Sequence, residues 1–319
     1  MKIGTPVSYS GGFAESANDV VALEKAGLDV VWVAEAYGYD AVSFMGYLAA
    51  KTETVQIAAG ILPIYTRTPT LIAMTAAGID AISGGRCILG LGASGPQVIE
   101  GFHGIKYDAP VTRTREIIEI CRKVWRRERL EHSGRFYTMP LPPDQGTGLG
   151  KALKLITHPE RERIPIIVAA LGDKNVEMTA EVADGWLPIF FWPEKAKSVW
   201  GDALSNGAAR RDASLGTLDI VAGGTVAIGE GLEGLREHGR PMAALYIGGM
   251  GARGRNFYNS LVQRYGFEAE AKLIQDLYLD GKKDEAAAAV PADLLENTTL
   301  IGPEGYIKER LAAMKEAGV

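Results

Sequence analysis

Apolar runs and helical stripes alternate along the whole 319-residue chain. Asp29-Val-Val-Trp-Val-Ala34 is a continuous apolar run, the mark of a strand buried on both faces. Residues 2–7, 55–62, 86–91, 164–171, 185–191 and 218–228 read as further strands. Between them the spacing predicts helices over 16–26, 40–51, 69–82, 112–129, 174–183 and 194–211, with a last one over 303–317. Ser16 suits an N-cap and Gly27 a helix stop. Residues 132–137 read as a tight turn, and 138–163, rich in Pro and Gly, as a long excursion suited to a lid. Residues 231–289 form a helical excursion with a Gly-rich centre.

This alternation, without a break in composition, predicts parallel βαβ units in a single domain over 1–319. Seven strands in such a row suit a (β/α)8 TIM barrel better than an open sheet with two halves. The 138–163 segment is then an insertion before strand five. An eighth strand is expected after the last helix and is not evident in the sequence.

Apolar residues make up 47% and charged residues 23%, enough to build a core, and the net charge of −5 argues against a nucleic-acid partner. The basic run 122–129 lies in a helix whose inward side is Ile117, Ile118, Cys121 and Trp125, and so reads as a solvated face. Cys87 and Cys121 stand in no metal or redox spacing and suit small core residues in a reducing compartment. The N-terminus lacks the pattern of a signal peptide, and no apolar run is long enough to cross a bilayer. The chain reads as soluble and cytoplasmic, with no membrane partner.

Gly90-Leu-Gly92-Ala-Ser-Gly95 spells G-x-G-x-x-G, the dinucleotide fingerprint. It falls on the fourth strand rather than the first, opens only a short helical turn, and has no acid at the next strand's end. The Rossmann reading therefore fails. A second match, 249–254, lies in a helical region, where small residues serve close packing; an anionic cofactor tail facing Arg253 and Arg255 is the alternative. In a barrel, strand C-termini line the active site, which places Ser94 and Gly95 there. Ala170-Leu-Gly-Asp-Lys-Asn175 is either an anion cradle, with Gly172 and Lys174, or an ordinary turn with Asp173 as N-cap. Glu100-x-x-His103 has a di-iron spacing in a single copy, so no metal site is expected.

Four stretches in order resemble the bacterial luciferase-like superfamily, in particular its coenzyme F420-dependent oxidoreductases. They are Val-Ala-Glu35-Ala36; Ala-Gly60-Ile61-Leu-Pro63-Ile-Tyr65-Thr-Arg67-Thr-Pro69; Leu-Gly-Leu-Gly-Ala-Ser94-Gly95-Pro-Gln-Val98-Ile-Glu100-Gly-Phe-His103-Gly104; and Val-Ala-Ala-Leu171-Gly172-Asp-Lys174-Asn175 through Asp184-Gly185-Trp186. The resemblance implies a non-prolyl cis peptide at Gly60-Ile61 behind a deazaflavin ring, with Pro63 and Val98 alongside. It implies Ser94 and Gly95 at the ring or its polyol, Leu171, Gly172, Lys174 and Asn175 at the phosphate, and Glu35 as an acid near the ring. Relatives that dehydrogenate alcohols carry a histidine after that acid, where this chain has Ala36; an acid found in some relatives is replaced by Pro96.

The implied function is hydride transfer between F420 and an apolar or aromatic carbonyl, alkene or alcohol. Candidate proton donors are Glu35, Tyr65 and His103, with Tyr37 beside them. Tyr37, Tyr39, Trp186 and Phe190 would line the substrate pocket, together with Tyr65 and Phe191. The alternatives are an FMN-dependent monooxygenase with a partner reductase, and a cofactor-binding protein without turnover. A homodimer is the expected assembly.

Overall fold

The structure, a computed structural model, describes residues 1–7 and 12–319. It forms two compact units. The first is Met1–Ala169 with Val182–Gly185 and Ser214–Gly216; the second is Ala170–Glu181, Trp186–Ala213 and Thr217–Val319.

In the first unit, five parallel strands follow one another in sequence order: β1 (Gly4–Val7), β2 (Val30–Val33), β3 (Gln56–Ala59), β4 (Cys87–Gly92) and β5 (Ile166–Ala169). The register pairs Val7 with Val33, Val33 with Ala59, Ala58 with Ile88, and Leu91 with Val168. All six residues of β4 are buried, as a strand covered on both faces requires. The third predicted strand breaks at the cis Gly60–Ile61 peptide, beyond which Leu62–Pro63 pairs again with β4.

The helices of this unit are α1 (Phe13–Lys25), α2 (Ala41–Lys51), α3 (Pro69–Ser83) and α4 (Pro110–Trp125). Asp40 caps α2 through Ser43 N–H at 2.9 Å, and Thr68 caps α3 through Leu71 N–H at 3.3 Å. Ser16 lies inside α1, whose N-cap is Gly12 in the left-handed conformation at φ 67°. Ile117, Ile118, Cys121 and Trp125 of α4 are fully buried. Arg122, read as part of a solvated face, instead donates to Asp184, which also receives Arg163 and the Ile166 N–H. After α4, His132–Ser133 and Thr138–Met139 form a small antiparallel hairpin. The buried Glu116 carboxylate holds its turn by accepting the N–H groups of Arg135, Phe136 and Tyr137.

The second unit contains α5 (Asp173–Val182), Trp186 and Leu187 of β6 (Gly185–Leu187), and α6 (Pro193–Ala208). Trp186, Phe191, Trp200 and Tyr265 form its aromatic core, with the Trp186 and Trp200 rings edge to face at 5.0 Å. The predicted 218–228 strand is two pieces. Asp219–Ile220 is one, with Val221 N–H donating to Trp186 O at 2.8 Å; β7 (Val226–Ile228) is the other.

The eighth strand is present, contrary to the sequence expectation. It is β8 (Leu300–Gly302), parallel to β7 with Val226 opposite Leu300. In a βα repeat each strand precedes its helix, so the strand belongs before the last helix, α12 (Glu304–Glu316), rather than after it. Its three residues are too short for a periodic signal.

The intervening helices are α7 (Arg240–Ala244), α8 (Phe257–Arg264), α9 (Glu268–Leu279), α10 (Lys283–Ala288) and α11 (Ala292–Asn297). Within the second glycine match, a side chain at Gly249 would strike Tyr278 of α9 and one at Gly251 the Arg255 carbonyl oxygen, so these two glycines serve close packing. Arg253 is paired with Asp276 at 2.8 Å and does not await an anion.

Candidate active site

The C-terminal ends of β2, β3 and β4 carry the ring-side residues that the resemblance implies, all within the first unit. The fingerprint glycines have a local cause there. A Cβ on Gly90 would overlap the Ala59 carbonyl oxygen, and one on Gly92 would lie 2.8 Å from the Ile61 side chain. They let β4 and the Ala59–Ile61 segment approach closely. Behind Gly60 lies Trp32, 3.4 Å from where a Cβ would stand. Ser94 then turns the chain in the left-handed conformation, at φ 59°, which costs a non-glycine residue on the order of 1 kcal/mol or more. Val98 and Pro63 are buried; Val98 N–H closes the turn on Gly95 O at 3.0 Å.

Glu35 is locked. Its two oxygens receive Arg67 Nη1 at 2.5 Å and Nη2 at 2.9 Å, and Oε2 also accepts the first N–H of α2, from Ala41, at 2.8 Å. Hydrogen bonding to this carboxylate holds the Arg67 guanidinium above its ordinary range. Both carboxylate oxygens are thus occupied by donors from Arg67 and Ala41. Through these bonds Glu35 ties the loop after β2 to the segment before α3. Arg67 was visible in its motif without a role. The available signal was a nearly buried acid at the end of β2, which needs a counter-charge.

Tyr65 is also engaged, donating its hydroxyl to Asp108 O at 2.9 Å. Burial, with Tyr107 and Asp108 adding to it, pushes this phenol well above its ordinary range, so its proton is held tightly. Arg113 packs over the rings of Tyr65, Phe136 and Tyr137 and pairs with Asp108 at 2.8 Å. His103 differs. It follows the π-helical turn Gln97–Phe102, and its Nε2 is buried with no hydrogen-bond partner among the described residues. Buried polar atoms rarely stay unpaired, so this nitrogen is one of few such exceptions among the described residues.

Tyr37 and Tyr39 are largely exposed. Tyr39 sets its edge on Phe13 at 5.3 Å, whereas Tyr37 meets Phe102, a residue the sequence did not single out.

In the second unit, Gly172 precedes α5, and a Cβ there would press on Phe257 at 3.3 Å. Leu171 O accepts the Trp200 indole N–H at 2.9 Å. The N–H groups of Asn175 and Val176 are bound to Gly172 O, while those of Asp173 and Lys174 have no acceptor among the described residues. Asn175 Oδ1 is buried without a partner among the described residues, and Lys174 is exposed. Asp173 is helical and pairs with Arg264, so it is not a cap. Trp186 is fully buried, with its indole N–H on Ala170 O, and Phe190 is buried with its carbonyl on the Tyr265 hydroxyl. Trp186 also lines a cavity together with Phe191, Pro193 and Glu194. No cluster of metal-ligating side chains occurs among the described residues.

The sequence profile of the luciferase-like monooxygenase family matches residues 1–319, and the chain belongs to that family. Within it, a putative coenzyme F420-dependent oxidoreductase of Mycobacterium tuberculosis is 40% identical over all of this chain and 93% of its own length. The coenzyme F420-dependent tetrahydromethanopterin reductase of Methanopyrus kandleri superposes with a TM-score of 0.82 at 20% identity, over 100% of this chain and 91% of that one. An F420-dependent secondary alcohol dehydrogenase, solved with an F420–acetone adduct, gives 0.75 at 19% identity, over 100% and 91%. The fold is thus the luciferase-like TIM barrel.

Proposed function

We propose that the protein is an F420-dependent oxidoreductase acting on a neutral apolar or aromatic carbonyl, alkene or alcohol. The full-length likeness to the mycobacterial relative carries this reading. When bound, F420 supplies a deazaflavin ring that exchanges hydride. The Gly60–Ile61 segment backs the ring, and Ser94 and Gly95 contact it. His103 supplies or takes the proton: among the candidates, Glu35 is locked by Arg67 and Tyr65 is committed to Asp108. The orphaned His103 Nε2 suits a hydrogen-bonding ligand in the first unit. The free N–H groups that open α5 suit an anion in the second.

Titrating the protein with F420 and with FMN, followed by Trp32 fluorescence, tests the cofactor. F420 is expected to bind more tightly. Tighter FMN binding would turn the reading to a monooxygenase, and binding of neither would overturn it. His103→Gln is expected to keep F420 affinity and lower turnover about 100-fold or more. Undiminished turnover would remove His103 from the proton path.

The assembly we assign is a homodimer. The exposed positions of α3 are Leu71, Met74, Gly78, Ala81 and Ile82, a face without charge. Light scattering should give twice the chain mass, and Met74→Glu should give the monomer; a monomeric parent protein would refute it. A cytoplasmic location is supported by the free buried cysteines, with burial pushing the Cys87 thiol up to about 12. No described helix is long and apolar enough to cross a membrane.

A further inference from the structure

Phe102 and Tyr37 are the two most exposed aromatic side chains among the described residues, at 66% and 64%. Their ring centroids lie 6.3 Å apart, with the planes inclined by 51°. Tyr37 follows β2 and Phe102 follows β4, and β3 lies between these strands. The two residues thus lie in the loops that follow the strands on either side of β3, whose end carries the Gly60–Ile61 peptide.

The exposure of Phe102 has a specific cause. In an α-helical turn, residues 98, 99 and 102 would share one face, as i, i+1 and i+4. Val98 and Ile99 are buried, so Phe102 would be buried with them. The turn is instead π-helical, closed by His103 N–H on Val98 O at 3.1 Å, and its wider circuit swings Phe102 outward. The flanking charges are turned aside: Glu100 accepts the Tyr107 N–H at 3.0 Å, and Lys106 pairs with Asp108 at 3.4 Å. What remains is an uncharged aromatic wedge next to the residue with an unpaired imidazole nitrogen. The Phe102 and His103 rings meet edge to face at 5.1 Å.

We infer that Tyr37 and Phe102 form a stacking platform that selects substrates carrying a planar, uncharged, conjugated ring. This rests on the oxidoreductase reading above and narrows its substrate class. The inclined rings offer one face and one edge, so they take a flat ring and fit a puckered saturated one poorly. Each ring acts on binding, and neither takes part in proton or hydride transfer.

The test compares 2-naphthaldehyde with its fully saturated decahydro counterpart, titrated into wild-type protein, Tyr37→Ala and Phe102→Ala, with F420 titrated into each in parallel. Wild-type protein should prefer the planar probe. Each alanine variant should weaken that probe by up to about tenfold, leave the saturated probe unchanged and keep F420 affinity. Phe102→Tyr and Tyr37→Phe should restore the planar preference. Equal affinity for the two probes in wild-type protein, or undiminished binding in both alanine variants, would overturn the platform. Failure of wild-type protein to bind F420 while the planar preference persists would overturn the cofactor reading and leave the platform standing.

Discussion

Asp80→Ala should lower the melting temperature by several degrees, roughly 6–12 °C. Asp80 has no solvent exposure and receives Arg161 through Nε at 3.1 Å and Nη2 at 2.5 Å, and the Cys87 N–H at 3.0 Å. Arg161 also donates to Cys87 O at 2.8 Å, so one ion pair joins α3, β4 and the end of the 138–163 segment. Removing the acid strands a guanidinium and a buried N–H. Breaking a buried pair costs about 3–5 kcal/mol. The lower end applies because the Arg161 side chain keeps 31% of its surface in water. Large domains lose about 2–4 °C per kcal/mol, which gives the stated range. Asp80→Asn, which keeps an acceptor for Cys87, should fall between. The double variant Asp80→Leu, Arg161→Met should recover most of the loss, since matched apolar replacement of a buried pair is often neutral. Circular-dichroism melts of the four proteins decide the matter; an unchanged Asp80→Ala melt would show that the pair contributes nothing.

Gly90→Ala should be at least as damaging, and it should also abolish F420 binding. The added methyl would overlap the Ala59 carbonyl oxygen and sit 2.8 Å from its carbonyl carbon. Backbone within a parallel ladder cannot yield as a side chain can, so β3 and β4 must part. Overpacking of a rigid site costs about 3 kcal/mol or more. The displaced residues lead directly into Gly60 and Ile61, so the damage reaches the ring side of the site. Gly101→Ala is the control. Nothing lies within 4 Å of its Cβ position and its φ is not positive, so that variant should melt within about 1 kcal/mol of the parent protein. Equal melts for the two variants would refute the argument.

These glycines also show what the sequence made legible. The position of the G-x-G-x-x-G run on the fourth strand was enough to reject a dinucleotide turn. Its true cause, contact with Ala59 and Ile61, depends on register, which a single strand does not encode. Strands buried on both faces, such as β2 and β4, announce themselves as unbroken apolar runs. β8 did not: its three residues, Leu300–Gly302, carry no periodicity. At the site, the acid at position 35 was visible, but its lock by Arg67, 32 residues away, was not. Side-chain partners across a loop leave no local pattern. Phe102 was hidden for a different reason. Helical spacing places it on the buried face, and only the wider π turn brings it out.

Arg161 and Arg163 stand two positions apart and grip different acids, Asp80 in α3 and Asp184 just after α5. At the other end the hairpin turn hangs on Glu116, and Leu130 N–H meets Leu153 O at 2.8 Å. The intervening stretch is therefore anchored at both ends. Doubling the length of such a closed loop costs only about 0.6 kcal/mol of chain entropy. Descendants of this chain can lengthen, shorten or rewrite residues 140–152 while the rest of the chain keeps its stability. Chain length in that stretch and thermal tolerance are thus free to vary separately.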